Sequence, residues 1–282
     1  MPTTIVCGVD HSSGAHAAAR IAVLLSERLG SQMVFVHAVQ PPIPGREIGM
    51  PAASTDFAAV EQMREAGGVL LEKIAEELGA GRAITKEVRI GGGAAEVIAA
   101  LAEEANAEFV VVGSRGLGSV GALLLGSVSL RLAAQGPCPT VIVPPSAGTL
   151  VEGPIMCAID DSDGARAALG TAAELAERLG LQLLVVNAAH DDASSSAGAE
   201  LLGQLAFETG LGTKAERIVV RGEPADAIVE AAEAHATAII VIGSRGRGAL
   251  ASSVLGSVSS AVANRSVCPV IVVRAQAEPD RR

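Results

Sequence analysis

Residues 109–116 read FVVVGSRG and residues 239–246 read IIVIGSRG, so an apolar run that ends in the same glycine-containing segment occurs twice, 130 residues apart. The start of the chain is repeated too, because TIVCGVD at 4–10 returns as PIMCAID at 154–160, an offset of 150. Matches at a regular offset indicate a duplicated structural unit. The offset falls from 150 at the start of the copies to 130 further along, which predicts about twenty extra residues in the first copy. We place them in the Pro/Gly/Ala/Ser-rich stretch 41–59.

Domain organisation follows from this duplication. The chain has 282 residues, of which 49% are apolar, enough for two domains of ordinary size with their own cores. The copies meet near residues 144–148, PPSAG, whose composition is typical of a short linker. We therefore predict one domain over 1–147 and a second over 148–282.

In each copy, short runs rich in β-branched residues alternate with longer segments rich in Ala, Leu and Glu. Runs such as 110–112 are apolar at every position, as parallel strands covered on both faces are. Gly30 and Gly180 follow a leucine where a helix should stop, at a position that favours a left-handed backbone. The pattern predicts an α/β fold of two tandem doubly wound domains, each a parallel sheet flanked by helices. In the first copy the predicted strands are 4–9, 33–39, 84–90, 109–113 and 140–143, and the predicted helices are 13–29, 58–79, 94–105 and 122–134.

The composition argues against several classes of function. Lys and Arg number 21 against 31 Asp and Glu, so the net charge of −10 has the wrong sign for coating nucleic acid. Tyr and Trp are absent and Phe occurs four times, which leaves no aromatic platform for stacking bases. No uncharged apolar run reaches about 18 residues, and no basic leader opens the chain. We expect a soluble, cytoplasmic protein without nucleic-acid or membrane partners, and we interpret its four separated cysteines as core thiols.

The first strand of each copy ends in an acid, Asp10 or Asp160. Ligands of doubly wound sheets bind beyond the carboxyl ends of the strands, so this is where a site is expected. An acid here could instead cap the following helix. Ser12 and Ser162 suit capping at least as well, which leaves the acids available for a hydroxyl group of a ligand.

The fourth strand of each copy is followed by the pattern G-x2-G-x9-G-S, at 113–127 and at 243–257. Glycine lets a ligand approach the main chain, and consecutive N–H groups before a helix bind anions. An ordinary flexible turn is the alternative, but identical spacing in two diverged copies favours a site. A third candidate, the turns at 90–93 and 221–224, is explained equally well as a strand-to-helix junction.

Neighbouring nucleotide and catalytic motifs are not satisfied. GLGSVG at 116–121 has the form of a dinucleotide motif, but it follows the fourth strand, and no acid occurs before Glu152. The sequence contains no P-loop, no HExxH and no GxSxG. His37 in the second strand has Asn187 as its counterpart, so an imidazole is not required there. We assign no catalytic residue and no metal site made of protein ligands.

The sequence resembles the universal stress protein family, in its tandem, ATP-binding form. The resemblance covers residues 4–145 and 154–274 and rests on the strand-one acid, the duplicated glycine pattern and a final strand that begins at Cys138-Pro or Cys268-Pro. It implies an adenine nucleotide alpha hydrolase-like fold, with a five-stranded parallel sheet of order 3-2-1-4-5 in each half. It also implies one ATP in each half, for which we expect Mg²⁺ as the companion ion.

The resemblance implies roles for particular positions. The strand-one acid contacts ribose or metal-bound phosphate, the residue after the second-strand His meets adenine through its main chain, and the glycine pattern holds ribose and phosphates. The sequence departs from the family at Gly93, where Pro is common, and at Asn187, where His is common. The candidate nucleotide-binding residues are Gly8, Asp10, Ala38, Gly113, Ser114, Arg115, Gly116, Gly126, Ser127 and Val128 in the first half, and Ala158, Asp160, Ala188, Gly222, Gly243, Ser244, Arg245, Gly246, Gly256, Ser257 and Val258 in the second.

The role expected from the resemblance is regulation in the stress response by an ATP-binding protein without a dedicated catalytic group. Two alternatives stay open: a slow ATP hydrolase, and an interaction module that binds no nucleotide. The resemblance also implies pairing through the final strand of a unit, either between two copies in a homodimer or between the halves of one chain. Residues 141–143 and 271–273 are apolar enough for such an edge.

Overall fold

Strands and helices alternate along both halves of the protein. The computed structural model describes residues 3–40, 57–79, 84–116, 125–150, 152–208, 215–246 and 254–275. The first half contains β1 (Thr4–Gly8), α1 (Ser13–Leu29), β2 (Gln32–Val39), α2 (Phe57–Glu77), β3 (Ile84–Ile90), α3 (Ala94–Glu104), β4 (Ala107–Gly113), α4 (Ser127–Gln135) and β5 (Thr140–Val143). The second half contains β6 (Ile155–Ala158), α5 (Asp163–Leu179), β7 (Leu183–Ala189), α6 (Asp192–Glu208), β8 (Ala215–Arg221), α7 (Pro224–Ala234), β9 (Ile239–Gly243), α8 (Ser257–Arg265) and β10 (Val270–Val273).

The described strands form a single sheet in the order β3-β2-β1-β4-β5-β10-β9-β6-β7-β8. Neighbours within each half are parallel, and the predicted order 3-2-1-4-5 is confirmed in both. The halves join where β5 and β10 pair antiparallel, with Val141 opposite Ile271. Each of these two strands therefore has a neighbour on both sides within the chain. The two halves pair with each other through their final strands, which was one of the two predicted ways of pairing. The predicted boundary between 147 and 148 falls in the segment that connects β5 to β6 and remains a prediction.

Apolar side chains form a layer on each face of the sheet. Ile5 and Cys7 of β1 pack in the layer shared with α1, α2, α5 and α6, whereas Val6 packs on the opposite face with α3 and α4. In the second half α7 and α8 cover that opposite face. The central strands are buried on both sides, which explains their uniformly apolar sequences. This arrangement brings the carboxyl ends of β1 and β4, and of β6 and β9, side by side where the strand order reverses.

The long helices α1 and α5 end as predicted. Gly30 and Gly180 both have φ +67°, the left-handed backbone that glycine adopts at little cost. None of the described helices is long and apolar enough to cross a membrane.

The helix predicted at 122–134 begins later than expected. α4 starts at Ser127, and Gly126 before it has an extended backbone with φ −64° and ψ 149°. Leu125 packs in the core without being helical, so its apolar character imitated part of a helix face. Residues 122–124 lie outside the described residues. So do residues 41–56 of the predicted extra stretch, whereas 57–59 form the first turn of α2.

The turn after the third strand differs in length between the halves. Three residues, 91–93, separate β3 from α3, but only Gly222 and Glu223 separate β8 from α7. Gly93 therefore corresponds to Glu223, and Ala94 corresponds to Pro224, which corrects the comparison of Gly93 with a proline. Gly222 has φ +135°, a backbone conformation that favours glycine, so this glycine is explained by the turn itself.

Candidate functional site

The acid after the first strand of each half is held by the serine two residues later. Ser12 donates to Asp10 Oδ1 through its amide, at 2.8 Å, and through its hydroxyl, at 2.5 Å. The same Ser12 oxygen accepts from the amide of Ala15 at 3.1 Å, so the serine caps α1 and the acid does not. In the second half Ser162 repeats both contacts, to Asp160 at 2.5 Å and from Ala165 at 3.2 Å. The predicted capping by serine is confirmed in both halves, and the availability of the acids for a ligand remains a prediction.

The second carboxylate oxygen of each acid lies against a glycine of the predicted pattern. A Cβ built on Gly116 would lie 2.9 Å from Asp10 Oδ2, and one on Gly246 would lie 2.5 Å from Asp160 Oδ2. Neither glycine has a positive φ, so glycine is needed here for space. The acid and the loop after the fourth strand therefore form one wall, although more than 100 residues separate Asp10 from Gly116.

A second pair of glycines brings the first helix of each half against the fourth strand. A Cβ on Gly113 would lie 2.6 Å from the carbonyl carbon of Gly14, and a Cβ on Gly14 would lie 2.5 Å from the carbonyl oxygen of Arg115. Gly243 and Gly164 repeat the first contact at 2.7 Å. Gly14 and Gly164 were not among the predicted site residues. Their signal was the repeat itself, because both stand four residues after the acid at the offset of 150.

The helix after the glycine loop begins differently from α1. The N-cap of α4 is Gly126 and that of α8 is Gly256, and neither helix start has a side-chain cap. The Ser129 hydroxyl donates to the carbonyl of Gly113 at 2.6 Å, which ties the first turn of α4 to the end of β4. Ser259 does the same to Gly243 at 2.6 Å. Because the first N–H groups of a helix carry partial positive charge, an uncapped start is suited to an anion.

His37 and Asn187 perform the same structural task. His37 Nδ1 lies 2.8 Å from the carbonyl oxygen of Val9, which can only accept, so Nδ1 carries the proton. Asn187 Nδ2 donates to the carbonyl of Ile159 at 2.9 Å. Each side chain therefore fixes the main chain immediately before the acid.

The predicted residues surround a cavity at the strand ends of each half. The cavity of the first half has a volume of about 540 Å³ and that of the second about 710 Å³. Ser114, Ser244 and Gly222 lie outside the described lining; Ser114 and Ser244 are buried behind it, each with its amide bonded to the final strand of its half. The predicted residues in the lining are Gly8, Asp10, Ala38, Gly113, Arg115, Gly116, Gly126, Ser127 and Val128, and in the second half Ala158, Asp160, Ala188, Gly243, Arg245, Gly246, Gly256, Ser257 and Val258.

Several lining residues were not predicted. Val36, Ile98 and Val112 form an apolar part of the first cavity. In the second half α6 adds polar groups, Glu200 and Gln204. These residues lie on helix faces or inside strands, where the sequence gives no sign distinguishing a lining side chain from a core or surface one.

The remaining reactive groups are not assembled into a site. Among the described residues, no group of three or more His, Cys, Asp and Glu side chains could hold a metal ion. Burial raises the pKa of the Cys7 and Cys157 thiols and raises that of Cys138 to about 12. These cysteines are free thiols packed in or against the core, as predicted.

Comparison with known proteins gives the same family match for both halves of the chain. Residues 1–144 and 153–274 each match a family model described as the universal stress protein family. A universal stress protein of Mycolicibacterium smegmatis is 31% identical over 288 residues, covering 96% of each chain, and one of Mycobacterium tuberculosis is 28% identical over 293 residues with the same coverage. The crystal structure of a universal stress protein from Archaeoglobus fulgidus has a TM-score of 0.72 at 23% identity, covering 97% of this chain and 98% of that one, and bears on the fold alone.

Proposed function

We propose that this chain, which belongs to the universal stress protein family, binds one adenine nucleotide in each half, with ATP as the preferred ligand, and acts as a regulator in the stress response. One observation carries the proposal. In both halves a capping serine holds a carboxylate against a glycine, at a position where a Cβ would not fit. The next helix starts beside them without a side-chain cap.

The apolar part of each cavity suits the adenine ring. Volumes of about 540 and 710 Å³ fall within the range of roughly 300–1,000 Å³ usual for small-molecule sites. In the first half Val36, Ile98 and Val112 offer apolar surface near Ala38. Recognition of the base by the main chain of Ala38 and Ala188, which the family resemblance implies, needs no aromatic side chain.

The polar part suits ribose and phosphates. In this proposal Asp10 Oδ2 accepts from a ribose hydroxyl or faces a phosphate-bound cation, while the start of α4 and Arg115 supply positive charge. Mg²⁺ usually keeps several waters and binds through one or two carboxylates plus phosphate oxygens, so a single acid is an adequate protein contribution. The second half offers the same set with Asp160, the start of α8 and Arg245.

Isothermal titration calorimetry on protein freed of nucleotide tests the proposal. ATP with Mg²⁺ should bind two sites per chain. Asp10→Asn and Asp160→Asn should each weaken one site at least tenfold, because the amide keeps the Oδ1 contact with the serine but loses the charge. The absence of heat up to about 1 mM ATP would contradict nucleotide binding. Phosphate release measured in the same samples separates a regulator from a slow hydrolase.

A further inference from the structure

The apolar end of the two nucleotide cavities is built by corresponding residues that differ in size. In the first half Gly8 ends β1 and Val112 is the last residue but one of β4, and both line the cavity. The repeat places Ala158 and Ile242 at these positions of the second half, where both line the cavity too. Each of the two exchanges adds one carbon atom to the second half. With the isoleucine that packs on them, we call these residues the apolar floor, which is Gly8, Ile98 and Val112 in the first half and Ala158, Ile228 and Ile242 in the second.

The isoleucine of the floor packs on a glycine in the first half and on an alanine in the second. A Cβ built on Gly8 would lie 2.6 Å from Ile98 Cδ1 and 3.2 Å from Val112 Cγ1. In the second half the methyl group of Ala158 occupies the corresponding place, so Ile228 cannot lie against its strand as Ile98 does against Gly8. Glycine therefore lets the isoleucine of the first half pack closer to the sheet.

The first cavity also reaches residues beneath the floor. Val36 of β2 and Leu125 before α4 line it. Their counterparts in the second half, Val186 and Leu255, are buried and lie outside the described lining of that cavity. The larger total volume of the second cavity, about 710 Å³ against 540 Å³, does not measure the room at this end, because its lining extends along α6 as far as Gln204. At the apolar end the first half is the deeper one.

Under the proposed function, on which this inference rests, the apolar end takes the adenine ring. Two ring carbons of adenine, C2 and C8, carry only a hydrogen atom. A small apolar group attached to either carbon needs space and no hydrogen-bond partner. One carbon atom more or less in an apolar pocket changes binding by about tenfold or more. The two carbon atoms that distinguish the floors are therefore sufficient to make the halves accept different bases.

We propose that the first half admits an adenine nucleotide whose base carries a small apolar group at C2 or C8, and that the second half is restricted to unsubstituted adenine. Gly8 and Val112 are the residues that provide the room, and Ala158 and Ile242 are the residues that remove it. None of the floor residues is charged, so this selectivity concerns the shape of the base and is independent of the phosphates.

Calorimetry on chains with one working site tests the proposal. Gly246→Ala leaves the first site and Gly116→Ala leaves the second, because each places a methyl group against the acid of its own half. The ligands are ATP, 2-chloro-ATP and 8-bromo-ATP, whose halogens are close to a methyl group in size. For at least one of the two halogenated nucleotides, the affinity relative to ATP should be about tenfold higher at the first site than at the second.

Exchanging the floors should exchange the selectivity. Gly8→Ala combined with Val112→Ile should remove the tenfold advantage from the first site, and Ala158→Gly combined with Ile242→Val should give it to the second. The second pair removes atoms from the floor, so its result does not depend on whether a tightly packed position accepts a larger side chain.

Gly68→Ala combined with Val69→Ile is the matched control. It makes the same two kinds of exchange at exposed residues of α2, outside the described lining of both cavities, and should leave the affinities relative to ATP unchanged. Equal ratios at the two sites for both halogenated nucleotides, or a difference that does not follow the exchanged floor residues, would overturn the inference while ATP binding stands. If ATP itself bound to neither site, the same titrations would show that the proposed function fails together with it.

Discussion

The two halves differ at the residue that holds the main chain before the acid, and the difference separates what the site requires from what it tolerates. His37 bonds the carbonyl of Val9 at 2.8 Å, and Asn187 bonds that of Ile159 at 2.9 Å. A helix glycine packs on each: a Cβ on Gly67 would lie 2.7 Å from His37, and one on Gly198 would lie 2.3 Å from Asn187. The requirement is an N–H donor of the right reach under a close helix, and the chemistry of the imidazole is not part of it.

The cavities diverge more strongly at their rims. In the first half, the charged residues of the described lining are one acid, Asp10, and one base, Arg115. The second half has Asp160 and Arg245 in the same places but adds Asp161 and Glu200, and α6 contributes to its wall. The part that both halves share is the cradle, by which we mean the acid after the first strand, the glycine loop after the fourth strand and the uncapped start of the next helix. At the rim, the part that differs is the charge around the cradle. The two sites should therefore share a mode of binding and differ in affinity.

The largest effect is expected from filling the cradle of one half at a time. Gly116→Ala and Gly246→Ala each place a methyl group against the carboxylate of the acid, and should weaken nucleotide binding in their own half by about 30- to 100-fold. The effect should be larger for Gly246→Ala, whose Cβ would lie 2.5 Å from Asp160 Oδ2, against 2.9 Å from Asp10 Oδ2 for Gly116→Ala. Calorimetry should then count one site per chain.

Two glycines with open space around them provide the controls. Gly68 in α2 and Gly170 in α5 have nothing within 4 Å of a built Cβ. Gly68→Ala and Gly170→Ala should leave both sites intact and raise helix stability by about 0.5–1 kcal/mol each. If Gly116→Ala still bound two nucleotides with unchanged affinity, the acid and the glycine would not form a binding wall.

The second prediction tests the equivalence of His37 and Asn187. His37→Leu removes the donor and leaves the carbonyl of Val9 unpaired, so the free energy of unfolding should fall by about 2 kcal/mol. His37→Asn installs the solution used by the second half and should cost about 1 kcal/mol or less, since it leaves only a small gap. Urea denaturation at constant pH measures both. Equal losses for Leu and Asn would show that the ring's packing matters and the hydrogen bond does not.

The third prediction concerns an ion pair that joins the halves on one side only. Arg178 in α5 pairs with Glu108 in β4, and both side chains are less than one third exposed, at 27% and 18%. The residue of the first half that corresponds to Arg178 is Arg28 in α1, and the residue of the second half that corresponds to Glu108 is Ala238, so the equivalent pair has no acid. Arg178→Ala should lower the free energy of unfolding by about 1 kcal/mol. Arg28→Ala, the matched control, should stay within about 0.5 kcal/mol.

The sequence was sufficient to predict the features of the site that occur in both copies. The acids at 10 and 160, the serine caps and the glycine pattern are properties of short segments that occur in both copies, whereas the order of the strands came from the family resemblance. The start of α4 was placed wrongly because Leu125 is buried as a helical residue would be, without being helical.

What the sequence could not predict depends on how helices are docked onto the sheet. Glu200 lines a cavity because α6 approaches β7 closely at Gly198, and its own neighbours along the chain do not reveal that. Thr237 is buried beside Ala238, whose amide donates to the carbonyl of Pro154, and its own neighbours along the chain do not reveal that contact. Both are outcomes of tertiary packing between segments far apart in the sequence.

The smallest expected effect tests whether the diverged rim sets the difference between the sites. Glu200 adds a negative charge to the second cavity, so ATP should be repelled there, and Glu200→Gln should tighten ATP binding in that half about threefold at low salt. Measured in the Gly116→Ala background, which isolates the second site, the gain should fall toward onefold at 0.5 M salt because exposed charges are screened. Glu230→Gln, which changes another exposed acid, on α7 and outside the described lining, should leave ATP binding unchanged. A gain that is the same at both salt concentrations would mean that Glu200 acts through the shape of the wall, and that charge does not distinguish the two halves.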